Sequence, residues 1–348
     1  MSSGKLSINL GAICANWQAL DALSGGTCET AAVIKADAYG LGAKQVGPAL
    51  ARAGARTFFV ATAEEGAALR MAVGSDPRIF VFSGHMSGDT ALLSQARLIP
   101  LLNDAAQCAR HHTALPDHPY GIQLDTGMSR LGVAQQDWPD VQASQGGTRP
   151  ALIMSHLACA DEPDHEMNAR QLARFRAMTD GIQTPRSLGA TGGILLGPQY
   201  HFDLTRPGVG LYGGKPFAQA QSVVQLDLPV VQTRRIAKGA SVGYANSWIA
   251  PRPSRIATVA SGYADGILRS LSDKLTLWHG QIAVPVVGRV SMDLLTADVT
   301  DLNELPEMLT LLGPKQGVDE LATCAGTIGY EILTSLGPRY ARHWAVHA

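Results

Sequence analysis

"TFFVATAEEGAALRMAVGSDPRIFVFSG", residues 57–84, holds two short apolar runs either side of a segment with helical spacing. Runs this continuously apolar belong to strands buried on both faces, and a helix between two of them makes the strands parallel. The same alternation extends outward. "AAVIK" (31–35) precedes it. "LIPLL" (98–102), "YGIQLDTG" (120–127), "ALIMSHLA" (151–158), "RSLGAT" (186–191) and "YHFDLTRPG" (200–208) come after it. Between them lie amphipathic stretches such as "AKQVGPALARAG", "NDAAQCARHHTAL" and "EMNARQLARFRAMTDGI". Eight such runs fit a (β/α)8 TIM-like barrel better than an open sheet. The last units are thin, because "TGGILLGPQ" is a poor helix, and Gly47 and Pro48 belong near a helix start.

From about residue 222 the texture changes to short Val/Ile/Thr runs and turns, as in "SVVQLDLPVVQTRRIAKGASVGY", with little helix before "DELATCAG". This predicts a barrel over residues 9–221 and a mostly β domain over residues 222–348. The strand-like "KLSINL" places an N-terminal strand within residues 1–8 in the second domain.

The 348 residues suffice for two full cores. A net charge of -1 without a basic run points away from nucleic acid and anionic membranes. Charged residues make up 16%, against about 25% in an average soluble domain. With 37 glycines, that favours much buried surface and many tight turns, and also fits a large subunit interface. Five scattered cysteines without a Cys-x-x-Cys argue for a reducing compartment and against a zinc ribbon. The first residues lack a signal-peptide pattern, and no apolar run is of bilayer length, so a cytoplasmic protein is expected.

Barrel chemistry sits at the carboxyl ends of the strands. Those ends carry Lys35, Ser83, Asp125 and Thr126 with Arg130 just beyond, His156, Thr191 and Arg206. Burial would lower the Lys35 pKa and free its amine to form a Schiff base with a carbonyl substrate or with pyridoxal phosphate. A lone lysine more often snorkels to solvent. Here Tyr39, Gly40 and Gly42 come within a turn, and the amides of Gly208 and Val209 beyond Arg206 could nest an anion.

"AAVIKADAYGLG" (31–42) resembles the pyridoxal phosphate attachment motif of the alanine racemase family. "LDTGMSRLG" (124–132), "SHLACADEP" (155–163), "TRPGVGLYG" (205–213), "SVGYANSW" (241–248), "SGYADG" (261–266), "GRVSMD" (288–293) and "TIGYEI" (327–332) are similar to its later motifs, in order. The resemblance spans nearly the whole chain. It implies a (β/α)8 barrel followed by a β domain, in a head-to-tail homodimer whose active sites are shared between subunits.

Carried over, Lys35 would hold pyridoxal phosphate, with Tyr39, Thr191, Gly208, Val209 and Tyr330 around the phosphate. Arg206 would face the pyridine nitrogen and, always cationic, keep it unprotonated, which favours racemisation over transamination. His156 would orient Arg206, though as an isolated residue it reads as an ordinary core histidine. Lys35 on the D face and the partner's Tyr244 on the L face would be the two acid–base groups. A phenol is a poor base at its usual pKa of about 10 and needs cations nearby. From spacing alone Tyr244 is an ordinary strand aromatic and Arg130 a surface cation. The resemblance instead puts Arg130 and the Met292 amide on the substrate carboxylate, with Asp293, Tyr263 and Tyr330 at the entrance. No metal is implied, and the role is either supply of D-alanine for the cell wall or catabolism of alanine.

Two positions depart from the family pattern. Gln123 stands where many members have a carbamylated lysine, leaving Arg130 without that charge. Ala190 and Thr191 replace the usual Asn-Ser pair. Alternatives remain: a racemase of another small amino acid such as serine, a decarboxylase, a D-amino-acid lyase, or a non-catalytic pyridoxal phosphate carrier. Arg206 argues against the decarboxylases, which use a carboxylate at the pyridine nitrogen. A lyase would usually need metal-ligating His and Cys near the C terminus. His343 and His347 are there, but Cys324 lies well upstream. A carrier would not need Tyr244 or a second domain.

Overall fold

The computed structural model describes residues 4–145 and 149–345, so the first residues of the 1–8 segment and His347 lie outside the described residues. The chain divides into two compact units, Ile13–Ala220 and a second made of the residues up to Ala12 together with those from Gln221 onward.

In the first unit seven parallel strand positions form one continuous sheet. They are Ala32–Val33, Thr57–Val60, Arg78–Val81, Ile99–Leu102, Gly121–Gln123, Ile153–Met154 and Arg186–Ser187. An eighth strand, Leu204–Thr205, pairs in parallel with Glu29–Thr30, directly before Ala32–Val33. The Arg206 N–H donates to the Gly189 carbonyl at 2.9 Å and the Asp203 N–H to the Arg186 carbonyl at 3.0 Å. These bonds tie the eighth strand to the seventh and close the (β/α)8 cylinder. Its strands are buried on both faces, as their apolar runs require. Phe59 fills part of the interior, stacked on Phe80 at 5.0 Å and Phe82 at 5.3 Å between ring centroids.

Helices Ala43–Ala53, Ala63–Val73, Ala105–Ala114 and Glu166–Thr179 lie between strands. Thr62 and Asp104 cap two of them, accepting from the Glu65 and Gln107 amides. Pro48 sits inside its helix rather than near its start. Gly47 beside it is required by packing, since a Cβ there would lie 2.7 Å from Leu69 Cδ1. "TGGIL" does form a helix, but of one short turn, Thr191–Leu195.

The second unit is rich in strands. Val224–Ile236 pairs antiparallel with Lys5–Asn9 and Met308–Leu312 along one half and with Ser254–Ala260 along the other. Bulges between Leu226 and Asp227 and between Val230 and Gln232 let this one strand serve both. Lys5–Asn9 also pairs in parallel with Ala341–Ala345. Two helices, Val318–Ala325 and Gly329–Ser335, interrupt the β pattern late in the chain.

Candidate active site

Ala32–Val33 delivers Lys35 to the end of a barrel strand, where the backbone turns in an unusual way. Ala36, Asp37, Ala38 and Tyr39 have φ of 51°, 54°, 56° and 56°, a left-handed turn without a glycine in it. Each such residue costs roughly 1–2 kcal/mol, so the turn must be held from outside. Asp37 Oδ1 accepts from the Ala43 N–H at 2.7 Å. Glu65 accepts from the Ala36 N–H at 2.8 Å through one carboxylate oxygen and from the Ala61 N–H at 2.8 Å through the other. The Tyr39 ring is buried against Tyr212, 4.6 Å between centroids, and the Tyr212 hydroxyl donates to the Val33 carbonyl.

Lys35 is half-buried, with Nζ 5.8 Å from the centre of the Phe82 ring. Burial first and the Arg130 charge second lower its pKa, and Glu65 opposes them. The amine is thus biased toward its neutral, nucleophilic form.

Arg206 is 1% exposed. Its guanidinium donates to Ser187 Oγ, to the Ser155 carbonyl at 2.7 Å and to the Leu188 carbonyl at 3.3 Å, with Cζ 5.9 Å from the Phe59 ring centre. Burial pushes its pKa down to about 9, which leaves it protonated at neutral pH. His156 is pushed down to about 3, chiefly by burial and then by the charges of Arg206, Arg130 and Lys35, so its ring is neutral. The His156 carbonyl accepts from Gln171 Nε2 at 2.9 Å, and Gln171 also donates to Thr126 Oγ1.

Thr191 Oγ1 accepts from the N–H groups of Gly208 at 3.1 Å and Gly210 at 3.3 Å. With both lone-pair directions used, its own proton is left to donate. A Cβ on Gly208 would fall 2.5 Å from the Tyr39 hydroxyl oxygen, so glycine there lets the Tyr39 phenol approach the backbone beside Val209.

Arg130 is exposed, on a loop held by Asp125 Oδ1, which accepts from the amides of Gly127, Met128 and Ser129 at 2.8, 3.0 and 3.2 Å. Gln123 is buried and donates to the Leu131 carbonyl at 3.3 Å, so it tethers the backbone next to Arg130.

Lys35, Tyr39, Gln123, Arg130, His156, Thr191, Arg206, Gly208 and Val209 all belong to the barrel unit. Tyr244, Tyr263, Met292, Asp293 and Tyr330 belong to the other. There Tyr244 is 69% exposed, and Tyr263, Met292 and Tyr330 are exposed as well. Arg339 pairs with Asp265 at 2.6 Å and with Asp293 at 2.7 Å, joining the turn after Tyr263 to the one after Met292. Among the described residues no group of three or more His, Cys, Asp or Glu is gathered as a metal site.

Glu65, Ser155, Gln171 and Ser187 escape sequence reading. Thr62-x-x-Glu65 has the capping-box pattern, which points Glu65 at the helix's own first amide. Its carboxylate instead joins two neighbouring strands.

The set fits pyridoxal phosphate by its chemistry: a desolvated amine, a buried cation, a neutral imidazole, and a hydroxyl with a free proton beside a glycine turn. The family model for the alanine racemase N-terminal domain matches residues 8–216, and that for the C-terminal domain residues 223–344. A protein of Dinoroseobacter shibae named alanine racemase is 61% identical over 99% of each chain. One of Cereibacter sphaeroides with the same name is 59% identical over 100% of each. The crystal structure of the Bartonella henselae alanine racemase with covalently bound pyridoxal phosphate has a TM-score of 0.94, 37% identity and 99% coverage of both chains. By fold, by motif order and by matches that run its full length, this chain belongs to the alanine racemase family of isomerases.

Proposed function

We propose that this enzyme interconverts L- and D-alanine with bound pyridoxal phosphate, moving a proton on one face with Lys35 and on the other with Tyr244 of the partner subunit. The observation that carries the reading is the Lys35 amine, lowered in pKa at a barrel-strand end. Lys35, Tyr39, His156, Thr191, Arg206, Gly208 and Val209 would hold the cofactor, with Tyr330 beside its phosphate. Bound, it would supply the electron withdrawal that makes the α-hydrogen of an amino acid acidic.

The chain's own groups do the rest. Arg130 takes the substrate carboxylate, with the Met292 amide of the partner subunit as a second donor. Gln123 steadies the Arg130 loop through backbone rather than through charge. Neutral Lys35 accepts a proton from one face of the α-carbon, and the Tyr244 phenol returns one on the other. His156 stays neutral beside Arg206 and adds no second charge near the ring. Tyr263, Asp293 and Tyr330 line a narrow entrance that suits a methyl side chain. The exposure of Tyr244, Tyr263 and Met292 in their own unit supports a homodimer that covers them.

Among the described residues no helix is long and apolar enough to cross a membrane. D-Alanine made in the cytoplasm for the cell wall is the role this activity suits.

Chiral chromatography of the products from a panel of L-amino acids tests the reading. D-Alanine should form with the wild type and fall by orders of magnitude in Lys35→Ala and Tyr244→Phe. D-Serine in its place would move the substrate, and no enantiomer of any amino acid would end the proposal.

A further inference from the structure

Glu65 stands on helix Ala63–Val73, one helical turn past the cap at Thr62, and is half-buried. Its two oxygens take amides from different strand ends. One is Ala61, just beyond Thr57–Val60, and the other is Ala36, the residue directly after Lys35. Ala36 opens the left-handed turn. Within that turn the Ala38 amide reaches the Ile34 carbonyl and the Gly40 amide the Ala36 carbonyl. The Ala36 amide is satisfied by the carboxylate. A charged acceptor on a backbone N–H is about twice as strong as a neutral one.

We infer that Glu65 is a positioning residue for Lys35: its carboxylate pins the left-handed turn that carries the amine and sets a negative charge against the Arg130 cation. Arg130 bears on Lys35 from the loop after Gly121–Gln123, whereas Arg206, at the end of Leu204–Thr205, bears on His156. His156 also faces the group and is neutral, and Asp37 in the turn itself is engaged with the Ala43 amide. Glu65 opposes burial and Arg130 at the amine. The inference rests on Lys35 as the proton-moving amine: without Glu65, Lys35 would be more weakly basic and less firmly aimed.

Glu65→Gln removes the charge and turns an NH2 group toward one of the two amides. Glu65→Asp keeps the charge on a shorter arm that cannot span both. The full-length chain, freed of pyridoxal phosphate, is acetylated competitively across a pH series, and Lys35 is read by mass spectrometry against exposed Lys44 and Lys238 in the same digest. Amide exchange over residues 33–41 is followed in parallel.

Glu65→Gln should shift the Lys35 midpoint to lower pH while Lys44 and Lys238 stay put. Exchange at 33–41 should be about 10-fold faster, the loss of one charge-assisted hydrogen bond. Glu65→Asp should keep the wild-type midpoint but exchange faster, separating charge from clamp. A purely structural glutamate would lower thermal stability and leave the Lys35 midpoint alone.

An unchanged Lys35 midpoint in Glu65→Gln overturns the inference, whatever the exchange shows. If that variant does not fold, Glu65→Ala, which also removes the charge, takes its place, with an unmoved Lys35 midpoint counting against the inference and a lowered one for it. D-Alanine formation, assayed separately, should drop roughly 10- to 100-fold in Glu65→Gln. A wild type that makes no D-alanine sinks the racemase reading, while the labelling result still judges Glu65.

Discussion

Arg206 shows how much of this site depends on a single side chain. It is buried, and its guanidinium donates to a hydroxyl and two carbonyls rather than to a carboxylate. A buried charge without a counter-charge is costly, and planar, forked donation is what makes it tolerable here. Arg206→Lys keeps the charge but loses the fork, leaving acceptors among Ser187, Ser155 and Leu188 unmet. We expect a loss of about 1–3 kcal/mol in urea unfolding, with weaker pyridoxal phosphate binding by absorbance titration. Wild-type values in both would mean that the fork is dispensable. Arg206 and Lys35 were legible in the sequence because each closes an apolar run. Glu65 was not, because its meaning lies in an amide 29 residues away, and no local pattern records that distance.

At the scale of elements, a run of histidines joins the loop after Arg78–Val81 to helix Ala105–Ala114. His111 Nε2 lies 3.1 Å from the His118 carbonyl, which only accepts, so that nitrogen carries the proton. In the neutral ring His111 Nδ1 is then bare and accepts from His85 Nδ1–H at 3.1 Å, and His85 Nε2 accepts from the Thr90 hydroxyl at 2.9 Å. A proton added to His111 Nδ1 would set it against the His85 Nδ1–H. Arg110, Asp89, His112 and His118 also bear on the pair.

Burial, more than these neighbours, pushes His111 down to about 4 from an ordinary 6.5. The unfolded chain therefore binds the proton more readily, so the stability this group contributes is complete above pH 6.5 and is lost as the pH falls through about 4. His111→Gln should be less stable than wild type at pH 8 and should flatten the fall in stability between those two values. Parallel slopes for the two proteins in urea melts at pH 8, 6 and 4.5 would refute this.

The elements themselves were partly legible. Eight apolar runs announced eight strands, yet Ile153–Met154 and Arg186–Ser187 pair over two residues each. The left-handed turn at residues 36–39 gave no sign, since it uses alanine, aspartate and tyrosine where glycine is the usual choice. Pro48 misled in the other direction, because a helix can carry a proline when its packing compensates.

For the whole molecule the telling element is Lys5–Asn9. Its alternation marked it as a strand, but alternation says nothing of neighbours, and the strand lies between Val224–Ile236 and Ala341–Ala345. Leu6 is 0% exposed and Ile8 1%. Leu6→Ala should therefore cost about 2–5 kcal/mol of stability, read by urea unfolding of the full chain. A change below about 1 kcal/mol would show that the strand can be lost cheaply.

The placement of that strand also bears on how the chain is made. Lys5–Asn9 leaves the ribosome before the barrel and Ala341–Ala345 well after it, with the entire barrel between them. At about 5–20 residues per second the early strand waits some tens of seconds for its later neighbours. The barrel, contiguous in sequence, is free to fold while translation continues. The β unit is closed only once Ala341–Ala345 has emerged, so a nascent chain stalled or truncated before that point would present a finished barrel trailing an open, sticky strand, a natural substrate for chaperones.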